Sequence, residues 1–300
     1  MAMDRSIWII VLAWNNYADT AECIQSLLRL DHANYRVVLV DNGSTDGTEE
    51  RARRDFPGID IVCNGANLGV PGGYNAGFRY ALERGADGVI MLNNDTVVDP
   101  GLLRHFEAAW TDPAVGMLVP IVYFYDQPDQ IWSAGGYHRS VPPGYLVNTA
   151  RYAPTGAVRP VEYAIGCCIL VTREAIAAVG LLDETIFFMW EDFEWSERVR
   201  RAGLAILQVP AATVLHKVSR STQPSSPLFW RMHGESATLF FRRHARNPIF
   251  AIFFHLGYFA LREFVAKRQP FGRVFWSGVK TGMVRQLKPI PPIPASKDYE

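Results

Sequence analysis

Three acidic positions in this 300-residue sequence have the residue type and spacing that a chemical site requires. Asp41 and Asp95 each follow a short apolar run, and Asp192 stands beside Glu191 where a helical pattern begins. Residues that follow the strands of an α/β sheet face one crevice, where ligands collect. We therefore expect these acids to converge on a single bound molecule.

The turn-rich segment that begins at Asp41 could bind a nucleotide. A carboxylate accepts hydrogen bonds from a base imide or a ribose hydroxyl, and Asn42 stands next to it. Gly43 and Gly47 would let the backbone approach the ligand closely. The same residues are ordinary turn and cap formers, so a structural role explains them equally well.

The segment Asn93-Asn94-Asp95 could bind a divalent cation. Mg²⁺ or Mn²⁺ takes hard oxygen ligands, usually one or two carboxylates with the substrate phosphates supplying the rest. His216 ends another strand-like run and could complete the site as a neutral imidazole, while Lys217 and Arg220 could hold a diphosphate. Alternatively, Asp95 begins a turn and His216 is structural.

Glu191 and Asp192 follow an aromatic segment, residues 187–190. Acids in the first turn of a helix interact favourably with its dipole, which is one explanation for them. The other is general-base catalysis, because partial burial beside aromatic rings raises a carboxyl pKa toward the working pH. Trp132, Trp190 and the segment 137–152 are the best candidates to stack on a sugar ring, because aromatic faces pack on sugars, although core packing is the commoner role of a tryptophan.

Alternating strand and helix patterns would position these residues. They predict a mainly parallel α/β sheet flanked by helices, because strands separated by helices of this length form right-handed crossovers. Strands are predicted at 7–14, 35–40, 59–63, 88–92, 117–125, 163–172 and 211–215. Helices are predicted at 20–30 and 191–202, with one more that starts near residue 48 and another that ends at residue 84. Residues 132–160 are rich in Gly and Pro and indicate a long functional loop or an irregular hairpin. Glycines 69, 72, 73 and 77 match no phosphate-loop motif, so we expect them to allow close packing.

Composition narrows the function. The 30 basic and 30 acidic residues cancel, so no global field favours nucleic acid or an anionic membrane. None of the four cysteines forms a C-x-x-C pair, and Cys167-Cys168 lies in an apolar run where buried thiols are expected. These features indicate a reducing, cytoplasmic compartment.

The C-terminal part of the chain is aromatic and basic, which predicts a helical unit. Residues 247–265 are apolar but are interrupted by His255, and they fall short of the roughly 20 residues of a membrane span. Arginines and lysines flank them, so a helix lying in the plane of the inner membrane face is one interpretation. A homodimer surface or a buried helix pair is the other.

Taken together, the motifs resemble the family 2 inverting glycosyltransferases, most closely their bacterial rhamnosyltransferase-like branch. The resemblance runs from about residue 6 to 221, and the matching segments are Val40 to Thr48, Asn67 to Gly69, Gly73 to Gly77, Leu92 to Asp95, Glu191-Asp192 and His216. It implies a GT-A fold over residues 1–220 and a C-terminal helical extension over 221–300. The Gln-x-x-Arg-Trp motif of processive members is absent, which argues against a polymer-extruding synthase.

The resemblance also implies roles. Asp41 would bind the nucleoside of a dTDP- or UDP-sugar, Asp95 and His216 a divalent cation on its diphosphate, and Asp192 would be the base, with Glu191 as the competing carboxylate. The acceptor would be a glycan or a lipid-linked sugar, and dTDP-rhamnose is the leading donor. Asn-Asn-Asp replaces the family's Asp-x-Asp, so the metal site has one carboxylate fewer. Further donor contacts are implied at Asn42, Asn67, Gly69, Asn75, Asn94 and Trp190.

Two other functions use similar features. A sugar-nucleotide nucleotidyltransferase would show a Gly-rich basic loop after the first strand, where this chain has Trp14-Asn15-Asn16-Tyr17. A non-catalytic carbohydrate-binding protein would need none of the acids.

Overall fold

The computed structural model describes residues 5–141, 144–148, 156–218, 225–268 and 270–294. The strands are β1 Ile7–Ala13, β2 Tyr35–Asp41, β3 Asp60–Cys63, β4 Gly88–Asn93, β5 Thr96–Val98, β6 Val115–Phe124, β7 Gln127–Ser133, β8 Tyr137–Val141, β9 Gly144–Asn148, β10 Arg159–Val161, β11 Cys168–Thr172 and β12 Ala205–His216. The helices are α1 Tyr17–Leu27, α2 Thr48–Asp55, α3 Gly69–Glu83, α4 Leu102–Ala109, α5 Arg173–Val179, α6 Glu191–Arg201, α7 Pro227–His244, α8 Pro248–Ala251, α9 Gly257–Ala260 and α10 Gly272–Val284. Two π-helical segments, Ile252–Leu256 and Leu261–Ala266, follow α8 and α9.

The main sheet is mixed, in the order β10-β12-β6-β11-β4-β1-β2-β3. The half of the sheet that contains β1 to β4 is parallel as predicted, with β1 paired to β2 and β4, and β2 to β3. β11 then runs antiparallel to both β4 and β6. Parallel neighbours need a long crossover, usually a helix, whereas the described residues between β6 and β11 form the strands β7 to β10. Sheet and flanking helices together form the expected α/β architecture.

The sheet is buried on both faces because its strands alternate between two apolar clusters. In β1, Ile7, Ile9 and Val11 belong to one cluster, and Trp8 and Ile10 to the other. This period of two is what a strand covered by helices on both sides requires.

The glycines of α3 let this helix lie close against the sheet. A Cβ atom at Gly73 would lie 2.5 Å from Leu12 Cδ1, and one at Gly77 would clash with Ile10. This agrees with the packing role predicted for them. Cys167 and Cys168 are buried free thiols, also as predicted.

Residues 132–160 contain a hairpin, β8–β9, and Trp132 itself lies on strand β7. The irregular hairpin was one of the two structures predicted there. Residues 142–143 and 149–155, including Tyr152, lie outside the described residues.

The C-terminal part is helical, as predicted, and α7 and α10 touch through their backbones. A Cβ atom at Gly234 would lie 2.4 Å from Phe275 O, one at Gly282 would lie 2.7 Å from Glu235 O, and one at Gly278 would clash with Arg231 O. An aromatic cluster joins these helices to α6 through Phe193. The proposed boundary near residue 220 stays a prediction, since 219–224 lie outside the described residues.

Within the described chain, the helical run Pro248–Val265 is long and apolar enough to cross a membrane, with a mean hydropathy of 1.3 and 33% of it buried. This was predicted to be too short for a span. A helix packed on a soluble domain can have the same length and composition, so the finding is weak evidence for a span.

Candidate functional site

A cavity of about 610 Å³ brings together most of the predicted site residues. It opens where β1, β2, β4 and β12 end and where α3, α6 and α7 begin. This is the edge of an α/β sheet where ligands are expected. The predicted residues that line it are Asn42, Asn67, Gly69, Asn94, Asp95, Trp132, Trp190, Glu191, Asp192 and His216.

Asp95 and His216 meet on one wall of this cavity. The pairing of β5 with β12 sets Thr96 opposite His216, and the Lys217 amide donates to Asp95 O at 3.0 Å. The two side chains are buried, and His216 Nε2 lies 3.2 Å from Asp95 Oδ1. Trp132 packs edge-on against the imidazole at 4.6 Å between ring centroids. The backbone pairing therefore builds the two-residue site that the sequence suggested.

The donor set fits a cation whose remaining ligands come from the substrate. Among the described residues no group of three or more His, Cys, Asp or Glu side chains could hold a metal ion. Asp95 and His216 would thus supply two ligands, which matches Mg²⁺-type sites completed by phosphates and water. The buried Nδ1 of His216 has no hydrogen-bond partner in the described structure, so protein contacts alone do not satisfy this ring.

The two asparagines before Asp95 are partly committed to the fold. Asn93 Oδ1 accepts a hydrogen bond from the Tyr74 hydroxyl at 3.1 Å. Asn94 Nδ2 donates to Thr20 Oγ1 at 2.8 Å while the residue still lines the cavity. Asp95 supplies the carboxylate of this segment at the cavity wall.

Glu191 and Asp192 are presented on another wall by a tight turn. Met189 and Trp190 both adopt left-handed backbone conformations, with φ of 65° and 72°, directly before α6. Such conformations in residues with side chains cost about 1–3 kcal/mol each and persist only where the surroundings fix them. Trp190 is held among Phe193 and Phe240, with centroids 5.5 and 5.4 Å away. The strained turn thus aims the first residues of α6 into the cavity.

The Asp192 carboxylate is fixed by two backbone amides. Gly166 N donates to Oδ2 at 2.8 Å and Phe193 N to Oδ1 at 2.7 Å. Burial raises the pKa of Asp192, and these two N–H donors oppose the rise because they favour the charged form. The side chain remains partly exposed to the cavity. It is an oriented carboxylate with a raised pKa, which are the properties of a general base.

Glu191 is the more deeply buried of the pair. Its Oε2 has no hydrogen-bond partner in the described structure. Burial raises the pKa of Glu191, and the neighbouring Asp192 charge raises it further. Two adjacent carboxyl groups of this kind divide into one that holds the proton and one that accepts it.

Asp41 lies at the end of β2 but does not reach the cavity wall. Its side chain is buried, and Oδ1 accepts a hydrogen bond from Ser44 N at 2.7 Å, the turn role that its sequence context allowed. Asn42, the next residue, does line the cavity. Nucleoside binding by Asp41 stays a prediction.

Hydrogen bonds from the Asn42 side chain link the end of β2 to the loop before α3. Its Nδ2 donates to Asn67 Oδ1 and to Gly69 O, both at 3.1 Å, and its Oδ1 accepts from Leu68 N at 3.1 Å. Gly69 has φ +76°, and a Cβ atom there would lie 2.5 Å from Phe187 O, so glycine is required. These residues shape the floor of the cavity.

Two predicted residues, Asn75 and Lys217, do not line the cavity. Asn75 is fully buried, donates to Leu182 O and Glu184 Oε1 at 3.0 and 2.9 Å, and accepts from Leu182 N. It ties α3 to the segment before α6, because its position on the helix faces that segment. Lys217 is paired with the Asp19 and Glu22 carboxylates, and Arg220 lies outside the described residues.

Sequence reasoning missed the wall that α7 supplies. Leu228, Phe229, Met232 and His233 line the cavity beside Trp190. His233 is stacked on Phe259 at 4.7 Å, and burial lowers its pKa to about 4, so the ring is neutral near pH 7. The Ser226-Pro227 helix start and the apolar residues spaced three and four apart were the available signal.

Comparisons with known proteins agree with this geometry. The Glycosyl transferase family 2 model matches residues 8–180. The N-acetylglucosaminyl-diphospho-decaprenol L-rhamnosyltransferase of Mycobacterium tuberculosis is 32% identical over 225 residues, 68% of this chain and 73% of the relative. The dTDP-rhamnosyl transferase RfbF of Shigella flexneri is 21% identical over 216 residues, 72% of this chain and 70% of the relative.

Two solved structures share the fold. GalNAc-T7 with UDP, GalNAc and Mn²⁺ superposes with a TM-score of 0.67 at 15% identity, covering 93% of this chain and 56% of that one. The mannosyltransferase PcManGT of Pyrobaculum calidifontis, in complex with GDP-Man and Mn²⁺, gives 0.62 at 15% identity, covering 93% and 87%. Both are glycosyltransferases, and the expected GT-A fold is confirmed.

Proposed function

The chain belongs to glycosyl transferase family 2 and is a glycosyltransferase, and from this premise we propose that it transfers L-rhamnose from dTDP-rhamnose to a glycan or lipid-linked acceptor, with inversion at the anomeric carbon. The observation that carries the proposal is one cavity lined by both the Asp95–His216 pair and the Glu191–Asp192 pair. The first pair suits the donor diphosphate and the second suits the acceptor hydroxyl. Such a reaction serves the synthesis of bacterial cell-surface polysaccharide.

The donor half of the cavity is the side of Asp95 and His216. These residues would hold Mg²⁺ or Mn²⁺, and the cation would neutralise charge on the departing nucleotide diphosphate. The neighbouring surface is formed by Asn42, Asn67, Gly69 and Asn94. Asp41 precedes Asn42 in the chain. The names of the M. tuberculosis and S. flexneri relatives support rhamnose as the sugar, and the name of the S. flexneri relative supports dTDP as the nucleotide.

Asp192 is the proposed base. The acceptor hydroxyl gives its proton to the Asp192 carboxylate as its oxygen bonds to the anomeric carbon, and the bond from that carbon to the diphosphate oxygen breaks. Two backbone N–H donors fix the carboxylate in one orientation, which is what proximity effects require. Glu191 would hold its proton beside it because its pKa is raised. A single displacement of this kind inverts the anomeric centre.

The acceptor side is aromatic, and a lipid-linked acceptor is the class we favour. Trp190 and Phe229 offer faces for a sugar ring there, whereas Trp132 packs on His216 at the donor side. The name of the M. tuberculosis relative describes an acceptor on decaprenyl diphosphate. The helical run that follows α7 leaves a row of apolar side chains exposed, including Phe253 at 64% and Leu261 at 59%. Phe259 of this run stacks on His233 of the cavity wall. We propose that this row rests on the cytoplasmic face of the membrane, beside the site.

A ligand screen tests the donor assignment. Thermal unfolding is measured with dTDP-, UDP- and GDP-sugars, each with Mg²⁺ or Mn²⁺. We expect dTDP-rhamnose to raise the melting temperature most, since a ligand held only by the folded state stabilises it. Stronger stabilisation by a GDP-sugar than by both others would overturn the donor assignment.

A further inference from the structure

A second, smaller cavity adjoins the rim of the main one. Its volume is about 260 Å³, and it shares Phe187, Leu228 and Met232 with the main cavity. Its other lining residues are Arg231, Glu235 and Arg285. It therefore combines an apolar edge with an excess of one positive charge.

The fold brings these charges together in a defined way. Arg231 and Glu235 are four residues apart on α7, so they share one helix face. Gly278 and Gly282 of α10 lie against the backbones of Arg231 and Glu235, which places Arg285, just after α10, over the same face. The Arg285 guanidinium lies 2.6 Å from Glu235 Oε1. Glu235 thus orients one of the two cations.

The second cation is available to a ligand. Arg231 is exposed and has neither a hydrogen bond nor an ion pair from its side chain to any described residue. A guanidinium offers a planar fork of donors that matches phosphate oxygens two at a time. A free arginine beside an oriented one is a suitable arrangement for a phosphate group.

The position of the smaller cavity indicates which phosphate group it would bind. The donor diphosphate belongs beside Asp95 and His216, and neither of these lines the smaller cavity. Leu228 and Phe187 at the shared rim are 54% and 39% exposed, so an alkyl chain could leave the site along them. Resting on the proposed function, we propose that Arg231 and Arg285 bind the diphosphate of an isoprenoid diphosphate-linked acceptor, with its sugar in the main cavity and its chain on the apolar rim.

Binding of farnesyl diphosphate, with farnesol as the phosphate-free reference, tests this without any sugar transfer. Both are titrated into the intact protein in the presence of a chelator, so that no metal can recruit phosphate to Asp95. We expect Arg231→Gln to weaken farnesyl diphosphate about tenfold, the effect of one charge-assisted hydrogen bond, and to leave farnesol unchanged. Arg29→Gln replaces an exposed arginine in the turn just after α1; it is the matched control and should bind as the unaltered protein does.

Three results would overturn the subsite: equal affinity of the unaltered protein for farnesyl diphosphate and farnesol, unchanged affinity in Arg231→Gln, or displacement of farnesyl diphosphate by saturating dTDP. The melting temperature of Arg285→Gln is measured together with its ligand affinity, because this variant also leaves Glu235 unpaired. If Arg285→Gln is unfolded, the affinity of Arg231→Gln alone tests the subsite. Co-sedimentation with phosphatidylglycerol vesicles separates the two phosphate sources. Loss of vesicle binding in Arg231→Gln with unchanged farnesyl diphosphate affinity would assign the arginine to membrane lipid and overturn the proposal.

The same set of variants distinguishes this subsite from the proposed function. If Arg231 governs farnesyl diphosphate binding but no rhamnose is transferred, the subsite stands and the proposed reaction fails. If rhamnose is transferred and Arg231→Gln leaves the KM for a diphosphate-linked acceptor unchanged, only the subsite fails.

Discussion

Replacing the proposed base by its amide, Asp192→Asn, should abolish most of the transfer while the protein still folds. The amide keeps the shape of the side chain but cannot accept the acceptor's proton. General-base catalysis contributes about 10²- to 10⁴-fold, so kcat at saturating donor and acceptor should fall by two to four decades. Donor affinity should stay within a few-fold, because most of the proposed donor contacts lie on the Asp95 side of the cavity.

The structure also sets a stability cost for this variant. Asp192 accepts one N–H from Gly166 and one from Phe193, and an asparagine has one oxygen to offer. One of the two amides would then face the new NH₂ group, which costs about 1–3 kcal/mol when a buried donor loses its partner. For a 300-residue chain, an unfolding entropy of about 2.1 cal/mol/K per residue turns this into a melting temperature lower by about 1.6 °C for each kcal/mol. A larger loss would indicate that the fold, and not proton transfer, has been damaged.

Glu191→Gln is the matched control. Because burial and the Asp192 charge raise the pKa of Glu191, a glutamine imitates its protonated form and should retain near-normal transfer. The pH profile adds a second check. Since burial raises the pKa of Asp192, transfer should rise with pH through a value above that of an ordinary aspartate, and Asp192→Asn should lose this limb. Near-normal transfer by Asp192→Asn with collapse of Glu191→Gln would move the base to Glu191.

Further predictions follow from the remaining parts of the site. Asp41→Ala should weaken donor binding more than it lowers kcat at saturating donor, and an unchanged donor Kd would leave Asp41 with its turn role alone. Activity should require added Mg²⁺ or Mn²⁺, and Asp95→Ala should match the chelated enzyme; full activity in excess chelator would remove the metal role. Phe253→Glu combined with Leu261→Glu should release the protein from anionic vesicles without changing its melting temperature, and undiminished co-sedimentation would contradict membrane docking.

The acidic residues of the site could be predicted from the sequence because each one stands at the boundary of a local strand or helix pattern. Asp95 and Asp192 stand at the end of a strand pattern and the start of a helix pattern, and the fold gathers such points at one sheet edge. The partners of those residues depend on distant contacts. Asn75 faces Leu182 because of how α3 lies on the sheet, and Lys217 meets Asp19 across 198 residues of chain.

Periodicity could have located the helix α7, but not its position at the cavity. This helix reaches the cavity because His244 contacts Glu194 of α6 at 2.9 Å and because Phe240 packs on Trp190. Both are contacts between segments that look independent in the sequence. Surface substitutions are the suitable test of membrane docking, because ending the chain near Arg246 would remove Phe275 from the aromatic core.

In the proposed reaction, this cavity carries out a single displacement on a nucleotide sugar. The most direct measurement incubates the enzyme with dTDP-rhamnose, Mn²⁺ and farnesyl diphosphate-linked N-acetylglucosamine, then determines the anomeric configuration of the new linkage by NMR. We predict a rhamnosylated product with inverted configuration and one dTDP released per transfer. Retention of configuration, or no transfer from any dTDP-, UDP- or GDP-sugar, would contradict the proposed inverting displacement.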